Sequence, residues 1–211
     1  MCIPEVTVKG SMFGVFESFV CETYGHDVYE QVLEGTTLET TEPFVGPGTY
    51  PPGDLLAMVG TAAELLGVEP DAAVRAFGRY AFAHLARSVP HAMDATDHPL
   101  DFLEHLESLI HTEVRKLDGE AKPPRILLQR IDDRHALLRY ESALRLLPLV
   151  SGLLDGVGDW FGQTIEHELV GSDGDVATYR LTFATTCELD RGIDDVGAPV
   201  TAAGATAGDL G

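Results

Sequence analysis

The apolar periodicity of this chain changes at Pro123-Pro124, and that change limits the possible folds more than any other feature. Ahead of the proline pair, apolar residues return at helical spacing: Met12, Phe13, Phe16, Phe19 and Val20 early on, and Leu103, Leu106, Ile110, Val114 and Leu117 just before it. Spacing of that kind lays one apolar stripe along each helix. Beyond the prolines, residues 125–131 and 136–141 read as strands joined by the charged turn Asp132-Asp133-Arg134. Residues 176–187 alternate Val176, Thr178, Arg180 and Thr182 against Ala177, Tyr179, Leu181 and Phe183, the signature of a half-buried strand. A helical block followed by strands in short-turn succession predicts an α+β fold rather than a doubly wound one.

Punctuation residues set the element ends. Tyr24-Gly25 closes the first helix, with a glycine that can adopt a left-handed cap. Asp27 is expected to cap a second helix bearing Val28, Val32 and Leu33, and Asp54 a third over 55–66 that stops at Gly67. Between them, residues 46–53 read as a Pro/Gly loop. Pro70-Asp71 opens a fourth helix with Val74, Phe77, Ala81, His84 and Leu85 on one face. Residues 90–99 read as irregular and 100–117 as the longest helix. Residues 142–161 read as helical, broken by Pro148 and Gly152, and 167–171 forms a hairpin with 176–187 around Ser172-Asp173-Gly174-Asp175. The expected organisation is an extension over 1–11, one domain over 12–189 and a disordered tail over 190–211. Within that domain a helical subdomain precedes a four-stranded antiparallel sheet with an inserted helix.

Thirty-four acids against fourteen bases give a formal charge of −20. Such a surface repels nucleic-acid phosphates and anionic lipid headgroups, so neither is an expected partner. A salt-rich cytoplasm would screen the self-repulsion, the Debye length at 1 M being about 3 Å; an acidic protein in ordinary salt fits equally well. Apolar runs stay below membrane-span length, and the start carries no basic-then-apolar leader, so a cytoplasmic location is expected. Cys2, Cys21 and Cys187 show neither disulfide-framework nor zinc spacing, and Cys21 reads as a small buried hydrophobe.

Signatures of a hydrolase elbow, phosphate loop, HExxH zinc helix or dinucleotide fingerprint are missing from the sequence, which points away from an enzyme. Paired Glu-x-x-His motifs, as a di-iron bundle requires, are also missing. Among the histidines, His111 lies at the margin of the apolar stripe of the 100–117 helix, whereas His105 falls on the solvent side. A histidine at such a margin is either an ordinary half-packed side chain or one able to reach a haem iron.

Several short motifs in one order resemble the haem-nitric oxide/oxygen binding (H-NOX) family, the sensor domain of soluble guanylate cyclases. They are Met12-Phe13-Gly14, Tyr24-Gly25 before a helix with Val28, Ala76-Phe77-Gly78-Arg79, Leu100-Asp101-Phe102-Leu103 leading to His111, and Pro123-Pro124-Arg125. The resemblance runs from Met12 to about Phe183. It implies haem b (iron protoporphyrin IX) ligated by His111, with Pro124 pressing on the macrocycle. It also implies a distal wall at Phe16, Ala81 and Leu149, nitric oxide and carbon monoxide as gases bound, and a separate signalling partner such as a histidine kinase or cyclase.

One segment departs from the family. Its Tyr-x-Ser-x-Arg propionate clamp is here Tyr140-Glu141-Ser142-Ala143-Leu144-Arg145, with leucine at the arginine position. Leucine has no donor for a carboxylate, so Arg145, and after it Arg139, are the expected substitutes. The alternative is a haem-free interaction module that keeps the fold and has lost the clamp.

Overall fold

A computed structural model describes residues 7–117 and 124–184, with backbone alone at 92 and 109–117. The first layer is helical: α1 (Ser11–Tyr24), α2 (His26–Gly35), α3 (Pro52–Leu66) and α4 (Pro70–Ser88). A two-residue ladder, β1 (Val8–Lys9) with β2 (Thr49–Tyr50), ties the start of the chain to the α2–α3 connection. After the short α5 (Pro90–Met93) and the long α6 (Pro99–Leu117) come β3 (Arg125–Arg130), β4 (His135–Glu141), α7 (Leu147–Phe161), β5 (Ile165–Asp173) and β6 (Val176–Phe183). The four later strands form one antiparallel sheet in the order β3-β4-β6-β5. The α+β architecture with a helix inserted in the sheet is therefore present.

Two hydrophobic clusters fill the interior. The helical cluster gathers Phe13, Val15, Phe16 and Val20 of α1, Leu55, Met58, Val59 and Ala62 of α3, and Phe77 and Ala81 of α4. The sheet-side cluster packs Leu100, Phe102 and Leu103 of α6 against Leu138 and Tyr140 of β4 and Ala177, Tyr179, Leu181 and Phe183 of β6. Helices α4 and α7 serve both: Phe82, Val150 and Leu154 belong to the sheet side, Ala81 and Leu149 to the helical side.

The α4–α7 contact depends on missing side chains. A Cβ at Gly78 would stand 2.7 Å from the Leu149 carbonyl oxygen, one at Gly156 2.6 Å from Phe82 Cβ, and one at Gly152 would collide with the Arg75 carbonyl. Along the outer edge, Arg75 donates two hydrogen bonds to Asp155 and Arg79 two to Asp159, in fork geometry. Asp155 also lies 3.9 Å from Nδ1 of the largely buried His167 on β5, which links helix seam and sheet.

Several expectations about element ends change. Asp54 is not a cap: α3 begins at Pro52, and Asp54 is a buried carboxylate inside it, accepting hydrogen bonds from the Glu39 and Thr40 amides and the Thr40 hydroxyl. It holds the long α2–α3 connection, a role that local spacing does not reveal. Asp27 lies in the first turn of α2, and Gly25, at φ 98°, is the N-cap. Residues 90–93 form a helical turn, and part of the 46–53 loop is the β2 rung. Pro148 and Gly152 do not break a helix. Residues 142–146 form a turn, Pro148 stands in the first turn of α7 where its missing N–H costs nothing, and Gly152 is a packing glycine. On α4, His84 and Leu85 are exposed, and the buried positions are Phe77, Gly78, Ala81, Phe82 and Ala86, because this helix has neighbours on two sides. Cys21 is half-exposed rather than buried, with Sγ 3.6 Å from His26 Nδ1. Residues 1–6, the 185–187 end of the last expected strand, the 190–211 tail, Cys2, Cys187 and Pro123 lie outside the described residues.

Candidate haem-binding site

The expected distal positions come together. Phe16 and Ala81 are each 1% exposed in the helical cluster, and Leu149 of α7 packs against that cluster. Phe16 meets Phe77 edge-on at 5.5 Å between ring centres, and Phe77 in turn contacts Phe19. Behind Phe16 lies an apolar recess of about 240 Å³ between α1, α3 and α4, partly walled by Val59, Ala62, Ala63 and Ala73. None of Phe16, Ala81 and Leu149 has a side-chain hydrogen-bond donor, so this wall offers hydrocarbon alone.

Polar groups gather nearby, where β4 runs into the start of α7. Tyr140, 6% exposed, faces the interior from the last turn-ward residues of β4. Burial pushes its phenol pKa up, and a hydrogen bond with the Ser142 hydroxyl partly offsets that shift. Tyr179, beside it on β6, donates to the Leu147 carbonyl at 3.3 Å at the start of α7, and burial raises its pKa too. Both phenols are therefore protonated donors at neutral pH.

The departure from the family motif has a definite conformation. Ser142 N–H donates to the Asp175 carbonyl, Ser142 Oγ accepts from the Leu144 amide, and Arg145 N–H closes the turn onto the Ser142 carbonyl. Arg145 has φ 47°, the one non-glycine positive φ among the described residues. Leu144 is half-buried and Arg145 exposed. The Arg145 guanidinium donates to Ser172 Oγ at 2.7 Å, across the chain on β5. Arg139 does not share this place. Strand alternation puts it on the opposite sheet face from Tyr140, beside Glu141 at 3.9 Å.

His111 lies on α6, and its side chain is outside the described residues. The earlier turns of that helix are anchored, with Leu100, Phe102 and Leu103 buried against the sheet. His105 is exposed, its Nδ1 2.8 Å from the Asp101 carbonyl one turn back. Pro124 is exposed and directly precedes β3. Among the described residues no three His, Cys, Asp or Glu side chains gather as a metal site of their own.

Sequence reasoning missed Ser172, Tyr179 and the Ser142–Asp175 link. Ser172 stood in an evident hairpin turn, but no local spacing joins it to Arg145. Only the β4–β6–β5 pairing brings the two together.

The haem-NO-binding family model matches residues 9–169, and the chain belongs to that family, whose domains bind haem and act as gas sensors. Among solved structures, the H-NOX protein of Shewanella oneidensis in its Fe(II)NO ligation state is 27% identical, with a TM-score of 0.76, covering 84% of this chain and 100% of that one. The same organism's H-NOX domain in its Fe(II)CO state is 27% identical at TM-score 0.75, covering 84% and 99%. The unliganded Fe(II) H-NOX protein of K. algicida, 20% identical at TM-score 0.74 over 85% and 98%, shares the fold. No curated protein matches the chain.

The residues present fit the group the family implies. Haem needs an apolar slot, an axial ligand and donors for two carboxylates. Here there is an apolar wall and, about the start of α7, buried phenols, Ser142 and Arg145, a guanidinium with no carboxylate partner among the described residues.

Proposed function

We propose that this protein is a cytoplasmic nitric oxide sensor that holds haem b through His111 and passes its state to a separate signalling protein such as a histidine kinase or cyclase. The observation that carries the reading is the donor-free wall in which Phe16 of α1 and Ala81 of α4 are buried and Leu149 of α7 is half-buried against their cluster. Bound haem supplies an iron that takes up a diatomic gas. The protein's own residues then discriminate. Dioxygen held at a haem gains from a hydrogen-bond donor, and this wall gives none, whereas nitric oxide and carbon monoxide depend less on one. Tyr140, Ser142 and Arg145 would hold the propionates, and Pro124 would press on the haem.

Any displacement of His111 acts on α6, whose first turns are packed into the sheet-side cluster. The glycine seam keeps α4 and α7 together, so the response is a shift between two packed arrangements of α6 and its neighbours, read by the partner. The absence of a helix long and apolar enough to cross a membrane among the described residues accords with a soluble domain.

Reconstitution tests the reading. The protein with haem is expected to show a strong Soret band that His111→Ala abolishes and added imidazole restores, while His105→Ala leaves it in place. A band lost in His105→Ala and kept in His111→Ala would reverse the ligand assignment. No band in the parent protein would favour the haem-free interaction module.

A further inference from the structure

Arg145 differs from most arginines of this very acidic chain in what it binds. Arg75, Arg79, Arg125, Arg130, Arg139 and Arg180 each lie beside a carboxylate. Arg145 instead donates to a neutral hydroxyl, Ser172 Oγ, although Asp173 and Asp175 stand on the same hairpin. A guanidinium has five donors in a planar fork, so one bond to a serine leaves most of the fork and the whole charge for an anion.

Its backbone is as unusual as its partner. A left-handed conformation is unfavourable for a side chain with a Cβ, and a single residue stays in it where the surroundings over-determine it. The surroundings here are specific: the Arg145 amide closes onto the Ser142 carbonyl, the Arg145 carbonyl accepts from the Leu147 amide at 2.8 Å, and the Ser142 amide is tied to Asp175. In a strand, residue 145 would face away from 140, 142 and 144. The left-handed turn breaks that alternation and re-aims the side chain one position late. The β5–β6 hairpin holds the result in place.

We propose that the β5–β6 hairpin is part of the propionate clamp, with Ser172 of β5 a positioning residue that holds the Arg145 guanidinium for the haem carboxylates in place of an arginine at 144. This rests on the haem reading above. It assigns a role to a hairpin outside the motif and explains how the clamp can do without its usual third residue.

Haem loss to a scavenging apoprotein, measured in parallel for haem and for its dimethyl ester, decides the matter. With haem, Arg145→Ala and Ser172→Ala are each expected to speed loss about three- to tenfold, the double variant little beyond either, and Ser172→Thr to restore the parent rate. With the ester, whose carboxylates are blocked, none of these should change the rate. In a Leu144→Arg background, which supplies the missing cation and should slow loss, Ser172→Ala should have no effect. Equal acceleration for haem and ester would show that Ser172 merely supports the fold and would overturn the proposal, as would a Ser172→Ala rate equal to the parent's. Failure of the parent to take up either pigment would overturn the haem reading itself, and with it this one.

Discussion

The helical cluster closes on aromatic rings and hydrocarbon, whereas the sheet-side cluster takes hydroxyl groups inside with it. In the first, Phe13 stacks on Phe44 at 3.8 Å, Tyr50 meets both, and Phe16, Phe19 and Phe77 interlock. In the second, Tyr140 and Tyr179 are buried with their phenol oxygens bonded to Ser142 and to the start of α7. A buried hydroxyl must find a partner, so the sheet side is fixed at named atoms. The helical side is fixed mainly by shape, with the buried Asp54 carboxylate holding the α2–α3 connection. On the haem reading proposed above, the difference would divide the work, with hydrocarbon towards the gas and donors towards the propionate charge.

The two regions also use glycine differently, and one substitution made in each should separate them most widely. Gly14 lies inside α1 with open space where a Cβ would go. Gly14→Ala should therefore stabilise the protein by roughly 0.5–1 kcal/mol, the helical preference of alanine over glycine. Gly152 faces the Arg75 carbonyl with no room for a methyl group. Gly152→Ala should cost about 2–3 kcal/mol, since α4 and α7 must part and their neighbouring contacts at Gly78 and Gly156 loosen with them. Urea unfolding reads both. Two changes of the same sign would mean that the seam yields as easily as an exposed helix face.

A smaller effect is expected from adding a donor to the hydrocarbon wall. Leu149→Tyr puts a phenol where the helical cluster meets α7, and with haem bound it should raise oxygen affinity about tenfold, the worth of one hydrogen bond. The oxy spectrum in air measures it. A parent protein that already forms a stable oxygen complex would erase the contrast between the hydrocarbon wall and the donor-bearing side.

What the sequence disclosed follows the same division. The apolar wall was legible because Phe16 and Ala81 fall on helical stripes and because the order of motifs matched a family. The change of period at Pro123-Pro124 disclosed the α+β order. Contacts made by backbone or across the sheet were not legible. Gly152 reads locally as a helix breaker, and its purpose appears only when α4 lies against it. Asp54 reads as a cap, since nothing nearby in sequence shows that Glu39 and Thr40 fold back onto it. The bond from Arg145 to Ser172 joins residues that only the β4–β6–β5 pairing brings together, and a left-handed residue 145 has no signature in a stretch without glycine.

The smallest effect concerns the β3–β4 turn, at the far end of the sheet from the clamp. There the Asp132 carboxylate accepts from the Arg134 and His135 amides, each at 2.8 Å, and lies 2.8 Å from His135 Nδ1. The Arg134 amide foremost, then the His135 side chain, hold its pKa below the ordinary 3.8. A carboxyl group that titrates lower folded than unfolded stabilises the fold at pH values above its unfolded pKa, and that contribution is lost as pH falls through the folded value. The group is fully exposed, so solvent screens the effect and it should be slight. Asp132→Asn should be a little less stable than the parent at neutral pH, and the gap should close as pH falls below about 3.8. Subtracting the two urea midpoints at each pH removes the acid sensitivity common to all the other carboxylates. A gap that stayed constant down to the lowest folded pH would show that the turn depends on Asp132 for its shape and not for its charge.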